Sequence, residues 1–174
     1  AIPDGTYEAE SFVYYDGFHE GSKFKIHLMI TVKGSNISFN YTGTDPQTEG
    51  FVNAPYAASV SAIILTFLML VNPDMPHNDG MIRPIHIDIP EGTFLNVRFP
   101  GASTFGNSIT GPHADAILKA LSKAIPERVT AGWNRMLSFA ISGKDPRKGV
   151  PYVDILFNAL KGGSGATYGV DGYA

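Results

Sequence analysis

The segment FKIHLMITVK at residues 24–33 decides the fold class, because apolar and polar side chains alternate along it. Its even-numbered residues are all apolar, and its odd-numbered residues are polar except for Met29. A period of two predicts a β-strand with one buried face. The turn at Gly34-Ser35-Asn36 and a second alternation at residues 37–42 predict that the chain returns as a β-hairpin.

Further strands are predicted on both sides of this hairpin. Residues 5–15 are expected to pair with it in an antiparallel sheet. Short alternating or apolar runs predict the remaining strands, giving seven or eight in all. These runs are residues 84–89, 94–99, 135–141 and 152–160, with a polar loop at residues 143–149 between the last two.

Two segments predict helices. Residues 51–72 carry no charge, and Asn53-Ala54-Pro55 and Asn72-Pro73-Asp74 supply start and stop signals for a helix at about residues 55–71. Its strongly apolar part is about ten residues, short of the roughly 20 that cross a bilayer, so we expect a buried core helix and no membrane span. In residues 112–125 apolar side chains recur at intervals of three and four, between Pro112 and Pro126.

The predicted fold class is therefore α+β, with a largely antiparallel sheet and two main helices at about 55–71 and 112–125. A length of 174 residues predicts a single domain, 1–174, at about 150 residues per domain. The first five residues, Ala1-Ile2-Pro3-Asp4-Gly5, lack Met and are typical of a turn, so we expect that this sequence is cut from a longer chain.

Composition excludes several functional classes. A formal charge of −3 offers no basic footprint for nucleic acid. The absence of Cys excludes thiolate nucleophiles, zinc ribbons and disulfides from this chain, and fits a reducing compartment. Only 17% of residues are charged, against 11 Phe and 8 Tyr, so the chain can bury a core and is not disordered.

The glycine-rich run at residues 162–166 does not form a nucleotide motif. A dinucleotide fingerprint starting at Gly163 would need Gly where Tyr168 stands, and no Lys-Ser/Thr pair follows as in a P-loop. A nucleophile elbow at Ser164 would need Gly at Ala166. A close backbone approach is favoured there over an anion-binding nest.

The five histidines are not spaced as a metal site. His86 lies two residues before Asp88 on a predicted strand, and His113 lies two before Asp115 at a helix start, where the two side chains face different directions. His77 stands in a polar turn. Solvated faces explain these positions better than ligand sets, so no metal is predicted in this chain.

Polar turns supply the remaining site candidates. Residues 42–47, after a strong strand, could orient a polar ligand or only close a turn. Arg83, near Asn78, could clamp a carboxylate or phosphate, or brace its loop. Asn107 could present a carboxamide to a substrate, or supply left-handed turn geometry.

Short motifs across nearly the whole chain resemble the B-type chain of the hydantoinase/oxoprolinase family. The motifs that carry the resemblance, in order, are residues 2–10 (IPDGTYEAE), 41–47 (YTGTDPQ), 53–55 (NAP), 78–80 (NDG) with 83–85 (RPI), 90–93 (PEGT) with Asn96, 106–107 (GN), 126–129 (PERV), and 162–166 (GGSGA) with 171–172 (DG).

The resemblance implies a function that composition cannot supply. The family includes N-methylhydantoinases and 5-oxoprolinases, which open cyclic amides with ATP, and the related acetone and acetophenone carboxylases. It implies that residues 1–174 are a middle-to-late portion of a longer hydantoinase B-like subunit, which works in the cytoplasm with the rest of that subunit and a hydantoinase A-like subunit that uses ATP. The open alternatives are a portion of a ketone carboxylase and a non-catalytic assembly domain.

Cofactors are expected elsewhere in such a complex. In the carboxylase relatives, the resemblance places the His and Asp metal motifs upstream of residues 2–5, and no matching His-rich motif stands in this sequence. ATP and a divalent metal are therefore expected outside this chain. The segment alone is expected to have no turnover and, with apolar surface left open, to form a homodimer.

No catalytic acid or base is assigned from the sequence. The residues predicted to position a ligand or assemble the site, by turn amides, hydroxyls and one guanidinium, are Thr42, Thr44, Asp45, Asn53, Asn78, Arg83, Asn107, Gly163, Ser164 and Gly165.

Overall fold

The computed structural model describes residues 2–103, 109–132, 138–157 and 164–172. Contacts divide the chain into two compact units, residues 1–129 and 130–174, and each is described by itself. The expectation of a single domain, excised from a longer subunit, stays a prediction.

The first unit contains one four-stranded sheet. Its strands are β1 (Gly5–Tyr14), β2 (Lys23–Lys33), β3 (Asn36–Asn40) and β4 (Ile85–Asp88), adjacent in that order. The pairs β1–β2 and β2–β3 are antiparallel, as predicted, and β3–β4 is parallel. Gly34 begins the two-residue connection between β2 and β3 with a φ of 59°, a conformation that glycine adopts without steric cost.

The alternation along β2 sets the buried face of this sheet. Ile26, Leu28 and Ile30 are fully buried, whereas His27 and Met29 between them are half-buried. The helices α1 (Tyr56–Val71) and α3 (Thr110–Leu121) complete this core: α3 packs against β1, β2 and α1. The predicted α+β class, with its mostly antiparallel strands and two main helices, is confirmed.

Helix α1 is uncharged along its 16 residues but is buried on one side only. Ile63 and Leu68 face the core, whereas Leu65 and Met69 are 56% and 67% exposed. No helix in the described ranges combines the length and apolarity that a membrane crossing needs. A single helical turn, α2 (Asp79–Ile82), follows α1 and leads into β4.

The second predicted helix ends earlier than expected. Helix α3 stops at Leu121 and is followed by turns up to Ile125, whose N–H still donates to the Leu121 carbonyl at 2.9 Å. A 3₁₀ turn at Pro126–Arg128 comes next. Ile125 fitted the apolar periodicity of the helix because the turns that follow Leu121 also bury the Ile125 side chain.

The predicted strand at residues 94–99 is wrong. Phe94 and Leu95 are consecutive and both fully buried, whereas a strand would send them to opposite faces. The Asn96 side chain donates to the Ile89 carbonyl at 2.9 Å, and the Asn96 carbonyl accepts from Gly92 at 2.9 Å. These bonds fold the segment into turns that point both apolar side chains inward.

The second unit contains a two-stranded antiparallel sheet of β5 (Ser138–Lys144) and β6 (Pro151–Phe157). The pairing includes Gly143 and Lys144, which the sequence had placed in the polar loop. The ends of the two predicted strands at residues 135–137 and 158–160 lie outside the described residues. The described part of the chain thus holds six strands, fewer than the seven or eight expected.

Candidate functional site

The predicted turn at residues 42–47 is fixed to β2 by two of its side chains. The Thr44 hydroxyl accepts from the His27 N–H at 3.1 Å and donates to the His27 carbonyl at 3.2 Å. Asp45 Oδ2 accepts from the Lys25 N–H at 2.7 Å. The Asp45 N–H also donates to the Lys25 carbonyl at 3.0 Å, so the turn is joined to β2 beyond the end of β3 and both polar side chains already stabilise it.

Thr42, in the same turn, leaves its side chain exposed. Its N–H donates to Asn40 Oδ1 at 2.7 Å, and its carbonyl lies 2.6 Å from His27 Nδ1. Among the described residues, these bonds use only backbone atoms of Thr42. Its hydroxyl is thus available to solvent, and ligand positioning by Thr42, Thr44 or Asp45 stays a prediction.

Asn53 is fully buried and holds a neighbouring loop closed. Its Oδ1 accepts from the Thr48 N–H at 2.8 Å, and its Nδ2 lies 2.9 Å from the carbonyls of Thr48 and Gly50 and 2.7 Å from that of Ala102. Its amide hydrogens are engaged by backbone carbonyls and the side chain is fully buried, so Asn53 is not accessible to a ligand. Asn53 therefore positions the loop at residues 48–51.

Two of the other candidates lie near α2. Asn78 caps this helical turn, its Oδ1 accepting from the Met81 N–H at 3.3 Å. Arg83 ends α2 with an exposed side chain, and among the described residues its guanidinium has no hydrogen-bond or ion-pair partner. An unengaged guanidinium remains able to bind an anion, whereas the Oδ1 of Asn78 is used by the cap.

The glycine-rich run lies in the second unit. A side chain on Gly165 would put its Cβ 1.9 Å from the Ala131 carbonyl oxygen, and the Ala131 N–H donates to the Ala166 carbonyl at 2.8 Å. A close backbone approach thus accounts for glycine at this position. Ser164 is exposed. Asn107 and Gly163 lie outside the described residues.

The structure brings some of these candidates together. The Phe94 N–H donates to the Asp45 carbonyl at 3.3 Å, and the Ala54 N–H donates to the Phe94 carbonyl at 2.7 Å. The buried turn at Phe94 therefore joins the Thr44–Asp45 turn to the segment that carries Asn53. Asn78 and Arg83 share none of these contacts.

The sequence interpretation missed the most organised polar cluster, which lies in the connection between β1 and β2. We call residues 15–22 the Asp16 loop. Asp16 is fully buried, and its Oδ1 accepts from the backbone N–H groups of Phe18 and His19 at 2.9 and 2.8 Å. Its Oδ2 accepts from the Thr48 hydroxyl and lies 2.9 Å from His19 Nδ1. The sequence signal that could have indicated this cluster is the Asp-Gly-x-His run at residues 16–19, directly after a predicted strand.

The loop that Asn53 closes supports this cluster from the other side. The Phe51 N–H donates to the Asp16 carbonyl at 3.0 Å. A Cβ on Gly50 would lie 2.1 Å from that carbonyl oxygen, and one on Gly17 would lie 1.9 Å from the Phe51 ring. The two loops therefore meet too closely for larger residues, and Asn53 acts indirectly on Asp16.

The electrostatics of Asp16 and His19 follow from these bonds. Burial opposes ionisation of Asp16, but four hydrogen bonds outweigh it and hold the pKa of this carboxyl well below its usual range. The hydrogen bond to Asp16, its negative charge and the more distant Glu49 raise the pKa of His19 above its usual value. An ionised carboxylate beside a half-exposed imidazole can orient that ring for proton transfer.

The described ranges contain no group of three or more His, Asp or Glu side chains arranged to hold a metal. No step of a reaction is therefore assigned to a metal bound by this chain. The prediction that metal and ATP are bound elsewhere stays untested.

Comparison with known proteins identifies the family. A family model for hydantoinase B/oxoprolinase matches residues 1–174. The chain is 35% identical, over 98% of its length, to a protein of Pseudomonas sp. (strain NS671) described as the B-type chain of a D-/L-hydantoinase, of which it covers 30%.

Two solved structures share the fold. The ATP-dependent caprolactamase from Pseudomonas jessenii superposes with a TM-score of 0.80 and 27% identity, over 99% of this chain and 30% of that one. A nucleotide-free acetone carboxylase superposes with a TM-score of 0.81 over 98% of this chain and 25% of that one, but its 18% identity shows the fold alone.

The chain thus spans about a third of the length of the hydantoinase and caprolactamase relatives. The resemblance inferred from the short motifs is confirmed. Because the family model covers every residue and the identity extends along the whole chain, the chain belongs to the hydantoinase B/oxoprolinase family.

Proposed function

We propose that this chain is a portion of the B-type chain of an ATP-dependent enzyme that hydrolyses cyclic amides. The observation that carries the proposal is the match to the family over all 174 residues, together with the 0.80 TM-score to an ATP-dependent caprolactamase. Hydantoins, 5-oxoproline and caprolactam all contain a ring amide, so ring opening is the shared reaction class.

The proposal includes partners and cofactors outside this chain. The hydantoinase relative is itself one chain of a multi-chain enzyme, which supports a second, A-type chain, and to this we assign ATP binding. We propose that the divalent metal is bound elsewhere in the complex, as the family resemblance implies. We also propose that the complex works in the cytoplasm.

Within this function, the chain contributes loops that are fixed by hydrogen bonds and exposed polar side chains. Thr44, Asp45 and Asn53 use their polar groups to fix loops, so we assign them to site assembly. Arg83 and Thr42 keep exposed side chains, and we assign these two to ligand positioning. The Asp16 loop adds the one histidine that a buried carboxylate orients within the described residues.

Ketone carboxylation is the second candidate. It is considered because an acetone carboxylase shares the fold, and at 18% identity this likeness shows the fold alone. A role in assembly alone, without catalysis, is the third. The hydantoinase and caprolactamase relatives, at 35% and 27% identity, favour cyclic amides. Ketone carboxylation and a role in assembly alone therefore serve as alternative outcomes of the test.

The test uses the complete B-type chain co-purified with its A-type partner. ADP release and ring-opened product would be measured with hydantoin, 5-oxoproline and caprolactam, and carboxylated product with acetone and bicarbonate. We expect ATP-dependent opening of at least one cyclic amide, and none when the A-type chain is omitted or when residues 1–174 are tested alone. Turnover of acetone only, or a stable complex without any turnover, would overturn the proposal.

Self-association of residues 1–174 also remains our proposal. The exposed Leu65 and Met69 on α1 support it, since apolar surface left open favours association. Sedimentation should show a concentration-dependent dimer, and a clean monomer at high concentration would contradict it.

A further inference from the structure

The Asp16 loop fixes both the orientation and the tautomer of one imidazole. Asp16 is ionised and can only accept hydrogen bonds, so the ring nitrogen 2.9 Å from its Oδ2, Nδ1 of His19, must carry a proton. In the neutral ring, Nε2 then holds a free lone pair. The His19 side chain is 56% exposed, so this basic nitrogen can meet a ligand.

His19 differs in this from the other four histidines. Both ring nitrogens of His27 are engaged, Nδ1 with the Thr42 carbonyl at 2.6 Å and Nε2 with Glu8 at 2.7 Å. His113 is fully buried. His77 and His86 are exposed, and no carboxylate orients either ring within the described residues. In the part of the chain that the structure describes, only His19 combines an anchored Nδ1 with an accessible Nε2.

Backbone strain marks the same loop. Tyr15 has a φ of 73°, the only positive φ of a non-glycine residue in the described ranges. Its N–H donates to the Ser22 carbonyl at 3.0 Å, and its hydroxyl donates to the Gly17 carbonyl at 3.0 Å. Strain of this kind persists where the surroundings fix the backbone, and it clusters at functional sites. The exposed ring of Phe18, whose centroid lies 6.5 Å from that of the His19 ring, leaves an apolar surface near the imidazole.

We propose that His19 is a proton-transfer residue of the cyclic-amide ring opening and that Asp16 is the residue that positions it. This inference rests on the function proposed above. Nε2 takes a proton from the attacking water as the water oxygen bonds to the ring carbonyl carbon. The bond from that carbon to the ring nitrogen then breaks, and the nitrogen takes the proton from the imidazolium, which returns to its neutral form.

The charged groups around His19 set the sign of its pH dependence. Asp16 contacts the ring from its own loop, and Glu49 faces Nε2 from the loop at residues 48–51, with its Oε2 3.8 Å away. Both carboxylates favour the imidazolium. Because a general base must be neutral, activity should fall as the pH drops through the pKa of His19, and this acid limb should move to lower pH when Glu49 is neutralised.

The test compares three variants in the complete enzyme with its A-type partner. His19→Gln should lower kcat about 100-fold, change KM little and abolish the acid limb. Glu49→Gln, at an 87% exposed side chain, should keep the fold and shift the acid limb to lower pH. His86→Gln on the exposed side of β4 is the control and should keep kcat and the acid limb of the unmodified enzyme.

A measurement independent of turnover completes the test. In residues 1–174 labelled with ¹⁵N in the imidazoles, His19 should show the Nδ1–H tautomer and titrate above the usual histidine range, and Asp16→Asn should lower that pKa. If the unmodified enzyme opens no ring, the proposed function fails and the role of His19 falls with it. If the enzyme opens rings and His19→Gln keeps kcat and the acid limb, or His19 shows the other tautomer, only the inference on His19 is overturned.

Discussion

The rings of Tyr41 and His113 meet edge to face with centroids 4.9 Å apart, where the end of β3 contacts the first turn of α3. Both residues are fully buried, and within the described residues neither the Tyr41 hydroxyl nor either ring nitrogen of His113 has a hydrogen-bond partner. Burial lowers the pKa of His113 to about 3 and raises that of Tyr41 well above its usual value. The core of the first unit therefore contains a histidine that must stay neutral.

This histidine makes the first unit sensitive to acid. The unfolded chain binds a proton at His113 near pH 6.5, whereas the folded chain resists protonation down to about pH 3. The folded pKa is depressed, so its contribution to stability is complete above pH 6.5 and is lost as the pH falls below it, by about 1.4 kcal/mol per pH unit. Urea unfolding followed by circular dichroism between about pH 4 and pH 8 would measure this slope.

His113→Leu should flatten that slope, because it removes the group that protonates on unfolding. The variant is expected to gain stability over the unmodified chain at the acid end of the range. His86→Gln, at an exposed position, is the matched control and should change the slope less than His113→Leu does. An unchanged slope in His113→Leu would show that another group causes the acid sensitivity.

Asn53→Ala should destabilise the first unit by about 3 kcal/mol, since it leaves a buried backbone group of Gly50 and partly buried ones of Thr48 and Ala102 without their partner. The urea midpoint measures this loss. Asn78→Ala removes a cap from an exposed helical turn and should cost about 1 kcal/mol or less. Equal losses in the two variants would contradict the structural role of Asn53.

Thr44→Val should cost about 1–2 kcal/mol, because valine keeps the shape of the side chain but loses both hydrogen bonds to the His27 backbone. Thr42→Val is the matched control. Its hydroxyl is exposed, so we expect a change within about 0.5 kcal/mol. The same unfolding assay compares the two, and the prediction is refuted if Thr42→Val is the more damaging change.

Gly165→Ala should disrupt the second unit locally, because its Cβ would lie 1.9 Å from the Ala131 carbonyl oxygen. Hydrogen exchange at the Ala131 amide, which donates to the Ala166 carbonyl, should become faster by at least about tenfold. Gly132→Ala meets no atom within 4 Å and should leave that exchange rate unchanged. Protection retained in Gly165→Ala would show that the backbone can relax around the added carbon.

Local pattern in the sequence was enough for most of the elements. The alternation along residues 24–33 predicted β2 and its buried side, and the uncharged run with its start and stop signals predicted α1. It failed at Phe94 and Leu95, where an apolar pair resembles a strand but is buried by a turn that Asn96 closes. A strand and a buried turn both require apolar residues, so a short apolar run does not distinguish them.

The sequence by itself determined most of the elements, because periodicity and turn residues act over a few neighbouring positions. Through the order of its short motifs it also determined the family. Only the tertiary structure decided what each polar side chain does. Asn53 bonds Ala102, and Thr48 bonds Asp16 across 32 positions of chain. Such partners meet only after the core has packed, since no local spacing encodes them. For the same reason the sequence did not single out His19, which the buried carboxylate of Asp16 orients in the folded chain.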